Sequence, residues 1–275
     1  MRLMYITNDV AVANIAQQAG VDRIFVDLEY IGKEKRQGGM DTVQNRHTIS
    51  DVKAISAVVE ESELLVRINP IHEETKEYVS SEQEINEVIS AGAQIVMLPY
   101  FKNAQQVKRF VNCVNGRAKT MLLFETPESI ENIDEILSVE GIDEVFIGLN
   151  DLSLGYGYKF MFVPLANGKV DEVVKKFKQR NLPFGFGGIA SLGRGELPSE
   201  KIIAEHYRLG STCVILSRSF CKTDKEKDFA RIEKVFNTGI SEIREYEDFC
   251  KQQTNEFFIE NRCALQKSVD EICNK

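Results

Sequence analysis

Two carboxylates stand where apolar runs stop. Glu125 ends the run Leu122-Leu123-Phe124 and is followed at once by Thr126-Pro127. Asp151 lies just past the run EVFIGL. An acid at either place does nothing for burial. If the two runs are neighbouring strands, both carboxylates reach one point. Two hard oxygen ligands, with several positions left for water or substrate, suit Mg²⁺ or Mn²⁺. Taken singly, Glu125 reads rather as an ion-paired rim residue and Asn150-Asp151 as a turn pair; taken together, at the ends of adjacent strands, they read as metal ligands. Arg67 raises a similar choice at the end of LLVRI. A guanidinium in an apolar run needs a partner. It either receives a carboxylate or oxyanion through parallel hydrogen bonds, or forms a salt bridge to Asp27 or Glu29. VDLEY crowds Asp27, Glu29 and Tyr30 onto one edge, and FGFGGIAS offers open backbone amides that suit an anion or simply relieve crowding. His206, in HYRLGS, reads as a helix-terminal histidine with a local partner.

The elements that must position these groups follow from hydrophobic patterning. Apolar runs occur at 3–7, 23–28, 64–68, 94–99, 120–124, 144–149, 183–186 and 213–217. Most do not alternate with polar residues, which fits parallel strands buried on both faces. Helical patterns lie between them, over 9–19, 49–59, 82–91, 103–114, 128–137, 170–180, 199–209 and 225–236. Thr48 with Asp51, and Ser81 with Glu84, read as capping boxes. Thr126 reads as an N-cap with Pro127 in the first helical position. Eight βα units predict a (β/α)8 TIM barrel. An open doubly wound sheet is the alternative, but the first turn, TNDVAVA, lacks its glycine fingerprint. In a barrel, the ends of strands five and six are adjacent and lie on the active face.

Two segments exceed a minimal barrel. The loop 29–47 is long and charged, and such loops tend to carry function. Residues 239–275 read as extra helix with an apolar face, expected to pack on the barrel or on a neighbouring subunit. The predicted division is therefore a barrel over 1–238 and a C-terminal helical extension over 239–275.

Composition removes several functional classes. The 275 residues suit one large barrel, and 43% hydrophobic content is enough for its core. A net charge of −8 without a basic stripe argues against nucleic acid. None of the six cysteines forms a C-x-x-C pair, so reduced thiols are expected. The opening MRLMYITND is too short for a signal peptide, and no run approaches membrane-spanning length. A cytoplasmic location with no membrane partner is expected.

Read in order, VDLE, VRINP, GAQIVMLP, LLFETPESIENIDEIL and GIDEVFIGLNDLSLGYG resemble the HpcH/HpaI aldolase and citrate lyase β-subunit family. The resemblance runs from about Asp22 to Gly157 and more weakly to Ser219. It implies that Glu125 and Asp151 are the two protein ligands of a divalent metal, Mg²⁺ first, with Mn²⁺ or Co²⁺ as alternatives. It implies that Arg67 contacts the keto-acid oxygen, and that amides near Gly148 and Leu149 hold the substrate carboxylate. It also implies a homo-oligomer, trimer or hexamer, joined through the C-terminal helices. The family's pyruvate aldolases commonly carry histidine directly after an acid at the end of strand two, and its citrate-lyase-like members carry aspartate. Here Tyr30 stands in that place, so Glu29, Tyr30 and His47 are all candidates for the base. Lys33, Lys35 and Arg36 in the long loop are candidates to meet an anionic substrate. The expected activity is metal-dependent cleavage of a 4-hydroxy-2-oxo acid into pyruvate and an aldehyde. Cleavage of an acyl-CoA thioester such as malyl- or citramalyl-CoA, and a non-catalytic barrel, are the alternatives.

Overall fold

The computed structural model describes residues 1–33, 46–223 and 226–274. Its strands are β1 (Arg2–Ile6), β2 (Arg23–Asp27), β3 (Glu63–Arg67), β4 (Ile95–Leu98), β5 (Lys119–Phe124), β6 (Glu144–Ile147), β7 (Phe184–Ile189) and β8 (Cys213–Leu216). All neighbours are parallel, and β1 pairs with β8 to close the barrel in sequence order. The apolar runs therefore form the expected strands, buried both toward the lumen and toward the helices.

Alternation divides each strand between two cores. Met4, Phe25, Leu65, Met97, Leu123 and Phe146 fill the lumen. Intervening residues such as Ile24, Val66, Leu122 and Val145 pack outward under the helices. The lumen floor is ionic. Arg23, fully buried, makes two bonds to Glu144 at 2.8 and 2.6 Å and one to Glu63 at 2.9 Å. A buried guanidinium needs such a set of partners. Gly185 lets β7 approach β8, because a Cβ there would lie 2.4 Å from the Cys213 carbonyl oxygen.

The helices on the barrel wall are α1 (Val10–Gln18), α2 (Ile49–Ser56), α3 (Ser81–Ser90), α4 (Ala104–Val114), α5 (Pro127–Glu131) and α6 (Ile133–Ile136). They continue with α7 (Leu149–Gly155), α8 (Val163–Ala166), α9 (Lys169–Gln179), α10 (Ser199–Leu209), α11 (Phe229–Lys251) and α12 (Asn255–Cys273). Asp9, Thr48, Asn103, Thr126 and Asp228 cap their helices with side-chain oxygens. Three details differ from the sequence reading. Ser80, not Ser81, caps α3; Ser81 instead accepts from the His72 amide, and Glu84 accepts from Asn69. The helix predicted over 128–137 is interrupted at Asn132. The last barrel helix runs through residue 239 to Lys251, so the helix itself is unbroken at the expected 238/239 boundary.

The chain after α11 folds back on its own barrel. α12 buries Leu265 and Val269. Lys201 Nζ on α10 donates to Ser268 Oγ at 2.6 Å, and Arg262 donates to Asp171 on α9 at 2.7 Å. All six cysteines are free. Among the described residues no helix is long and apolar enough to cross a membrane.

His206 has a structural position at the end of α10. Its ring stacks on Phe186 at 3.8 Å, and Nδ1 lies 2.8 Å from Ser211 Oγ. Burial pushes its pKa down from 6.5 to about 3. The folded state therefore keeps it neutral while the unfolded chain takes up a proton below pH 6.5. Its contribution is complete above pH 6.5 and is lost as pH falls toward 3. Wild-type protein should lose roughly 2 kcal/mol of unfolding free energy through this group between pH 6.5 and 5. His206→Gln should flatten that part of the profile in urea titrations.

Candidate functional site

Strand parity builds the mouth of the barrel. Phe25, Leu65 and Leu123 belong to the lumen core. Residues two positions on face the same way one layer higher, which brings up Asp27, Arg67 and Glu125. Gly148 stands in the same relation to Phe146. All four line a cavity of about 450 Å³, together with Lys33, Leu149, Asp151, Gly187, Gly188 and Arg218.

The β2–β3 side carries a compact ionic cluster. Asp27 and Arg67 are register partners on adjacent strands. Arg67 donates from Nε and Nη2 to the two Asp27 oxygens, both at 2.8 Å, and its Nη1 lies 3.3 Å from Glu29. Its guanidinium also sits 5.6 Å from the Phe25 ring centroid. Lys33 Nζ donates to Asp27 at 2.8 Å and lies 3.6 Å from Glu29. Burial would raise the Asp27 pKa, but Arg67 and Lys33 hold it far below the usual carboxylate range. Burial would lower that of Arg67, but Asp27 and Glu29 hold the guanidinium charged.

The β5–β6 side carries the two acids. Glu125 and Asp151 are both buried and line the same cavity. Glu125 Oε1 accepts from the Tyr100 amide at 3.0 Å. Tyr100 adopts φ 50°, a conformation that a bulky residue seldom takes. The turn after β4 thus directs an amide at the carboxylate. Gly148 makes room for Glu125, since a Cβ there would lie 2.8 Å from its Oε2. The Gly148 amide itself donates to the Phe124 carbonyl at 3.0 Å, while Leu149 opens α7. Asp151 accepts from Asn150 at 3.3 Å. Among the described residues no group of three or more His, Cys, Asp or Glu side chains could hold a metal. The residues fit a hard divalent cation that takes two protein carboxylates and completes its shell with water or substrate.

The remaining predicted residues occupy a second cavity of about 580 Å³, beside the first. It is lined by Glu29, Tyr30, Arg46, His47, Asn69 and Tyr78 among others, with Lys33 reaching both cavities. The Tyr30 hydroxyl donates to the His47 carbonyl. Burial and Asp27 push the Tyr30 pKa up to about 12. His47 Nδ1 accepts the Asp27 amide at 3.0 Å, and burial lowers the pKa of this ring. His47 is therefore a neutral support for the end of β2. Asn69 fixes the same segment, accepting from the Tyr30 and Ile31 amides at 2.8 and 2.9 Å. Lys35 and Arg36 lie outside the described residues. Tyr100 and Arg218 were not singled out from the sequence. The first acts through its backbone, and the second lies in a turn with no periodic pattern.

The family model described as HpcH/HpaI aldolase/citrate lyase matches residues 3–161. A hydroxypyruvate/pyruvate aldolase of Rhizorhabdus wittichii is 50% identical over 54 residues, covering 20% of each chain. A 2-keto-3-deoxy-L-rhamnonate aldolase of Escherichia coli is 30% identical over 104 residues, covering 27% of this chain and 39% of that one. The chain thus matches well under half the length of these curated relatives. The crystal structure of an HpcH/HpaI aldolase from Desulfitobacterium hafniense aligns with a TM-score of 0.59 and 17% identity, over 88% of this chain and 92% of that one. At that identity the likeness speaks for the fold.

Two substitutions check the geometry. Gly148→Ala should displace Glu125 and weaken Mn²⁺ binding, read by calorimetry, about tenfold or more. Tyr30→Phe removes only the bond to the His47 carbonyl and should cost about 1 kcal/mol in urea unfolding.

Proposed function

The chain belongs to the HpcH/HpaI aldolase/citrate lyase family, and on that premise we propose that it is a carbon–carbon lyase acting on a 4-hydroxy-2-oxo acid. It releases pyruvate and an aldehyde, and runs the aldol addition in reverse. The observation that carries this reading is that Glu125, Asp151 and Arg67 line one cavity of small-molecule size. Glu125 and Asp151 would hold a divalent ion, Mg²⁺ first, with Mn²⁺ or Co²⁺ as alternatives. When bound, that ion supplies Lewis-acid polarisation of the 2-oxo group.

The chain's own residues do the rest. Arg67, locked by Asp27 and Glu29, keeps a fixed positive charge beside the oxygen on which negative charge develops. Charge held in place before the reaction needs no reorganisation during it. The start of α7, at Leu149, receives the substrate carboxylate. The proton of the 4-hydroxyl passes to the carboxylate of Glu29, 3.6 Å from Lys33 Nζ in the β2 cluster. The C3–C4 bond then breaks, its electron pair forms the enolate, and protonation at C3 gives pyruvate. Tyr30 and His47 serve this cluster from the second cavity.

Two coarser features complete the reading. We propose a homo-oligomer through the C-terminal helices, on which Phe249 and Ile259 are 44% and 61% exposed. The six free cysteines fit a reducing compartment, and a cytoplasmic location is proposed.

With purified protein and Mg²⁺ or Mn²⁺, Glu125→Gln and Asp151→Asn should each abolish measurable ion binding and reduce retro-aldol turnover roughly 100-fold or more. Full activity in either variant excludes the mechanism. Lys33→Met should lower kcat more than Tyr30→Phe does, because only Lys33 reaches the mouth; equal effects would move the proton transfer away from it.

A further inference from the structure

Ser81 and Glu84 have the spacing of a capping box, yet the cap of α3 comes from Ser80. Both side chains are turned instead onto the loop that follows β3. The Ser81 hydroxyl, fully buried, accepts from the His72 amide at 2.8 Å, and the Ser81 amide donates to the His72 carbonyl at 3.3 Å. Glu84, 6% exposed, accepts from the Asn69 backbone amide at 3.1 Å and from Asn69 Nδ2 at 2.8 Å. Burial raises the Glu84 pKa, and the two Asn69 donors act against it. A carboxylate is costly to bury. Since α3 takes no cap from this one, its use lies in what it holds.

Glu84 decides which way the Asn69 amide faces. A carboxylate can receive only the donor end, Nδ2, and so directs Oδ1 away from itself. There Oδ1 accepts from two successive amides of the turn after β2, Tyr30 at 2.8 Å and Ile31 at 2.9 Å. The amides before them are also held: Leu28 donates to the Arg67 carbonyl at 2.8 Å, and Glu29 to Asp27 Oδ1 at 3.2 Å. Residues 28–31 thus have an acceptor for every amide, and half of that set rests on one side-chain oxygen. Glu29 immediately precedes the pair that Asn69 holds. Its carboxylate lies 3.3 Å from Arg67 Nη1, and Asn69 follows Arg67 by two residues. The end of β3 therefore fixes both the guanidinium and the turn that carries the acid beside it.

We propose that Glu84 and Asn69 are positioning residues for the proton transfer. Glu84 orients the Asn69 side chain, and Asn69 holds the Tyr30–Ile31 backbone so that the Glu29 carboxylate keeps its place beside Arg67. Neither residue lines the mouth cavity, so each acts through the turn. Small displacements of a reacting group, caused from a distance, lower the rate of the chemical step while leaving binding in place. The inference rests on the proposed reading of Glu29 as proton acceptor, and amide exchange tests the clamp without turnover.

Deuterium exchange read by mass spectrometry reports the clamp. Asn69→Ala should speed exchange in peptides covering residues 28–33 about tenfold or more, with β5 and β6 unchanged. Asn69→Asp alone sets two carboxylates against each other and should do the same. Asn69→Asp combined with Glu84→Gln reverses the polarity of the pair at constant formal charge. The glutamine then donates to the aspartate, whose other oxygen still accepts from both amides. This double variant should return exchange and turnover to within about threefold of wild type. With Mn²⁺ and 4-hydroxy-2-oxopentanoate, Asn69→Ala should lower kcat roughly 10- to 100-fold while KM and Mn²⁺ affinity stay within about twofold. In a Glu29→Gln background the same substitution should cost nothing further, because the two act as one unit. Unchanged exchange at 28–33 in Asn69→Ala, a swap variant no better than Asn69→Asp, or an undiminished loss in the Glu29→Gln background overturns the proposal. Full turnover in Glu29→Gln, with the expected exchange pattern, removes Glu29 as proton acceptor and leaves the clamp standing.

Discussion

The fork of Arg67 against Asp27 is the contact on which the barrel mouth depends. It joins β2 to β3 at matched register with two hydrogen bonds of 2.8 Å. A charge pair this deep gains enough from its geometry to offset its desolvation only when further donors and acceptors complete it. Glu29, Lys33 and the His47-supported backbone of Asp27 supply them. Among the described residues, two cations of this cluster meet two carboxylates. Across the mouth from it, Glu125 and Asp151 line the same cavity.

Charge in the lumen is confined to its two ends. Arg23, Glu63 and Glu144 tie the floor, while Asp27, Arg67 and Glu125 form the upper layer. Between them lies an apolar belt that includes Phe25, Leu65, Leu123 and Phe146. The belt separates the two ionic sets and gives the upper one a dry base. Low polarity below strengthens electrostatic interactions at the mouth, while the opening above gives access from solvent. Stability and chemistry are thus placed at opposite ends of the same strands.

Much of this was legible in residue order. Continuous apolar runs identified all eight strands, and their endings identified Glu125, Asp151 and Arg67 as mouth residues. The salt-bridge reading of Arg67 is visible in its contacts with Asp27 and Glu29, and the side chain also lines the cavity. Other features depend on contacts that no local pattern encodes. Tyr100 matters through an unusual φ and its amide, which its residue type does not announce. Ser80 displaced Ser81 as the cap because Ser81 was taken by His72, nine residues away. The Gly148 amide serves strand pairing, so the glycine's contribution is the space it leaves for Glu125. Tyr30 and His47 sit near the mouth in sequence but open on the neighbouring cavity, because the turn after β2 directs them there.

In the proposed lyase, Glu125 and Asp151 share one cation. Crystals grown with Mn²⁺ and pyruvate, with diffraction recorded at the manganese absorption edge, test it most directly. One anomalous peak is expected between the two carboxylates, in contact with an oxygen of each and with the pyruvate oxygens. An empty gap, with the two side chains turned apart or bridged by a lysine or arginine of the chain itself, would contradict it.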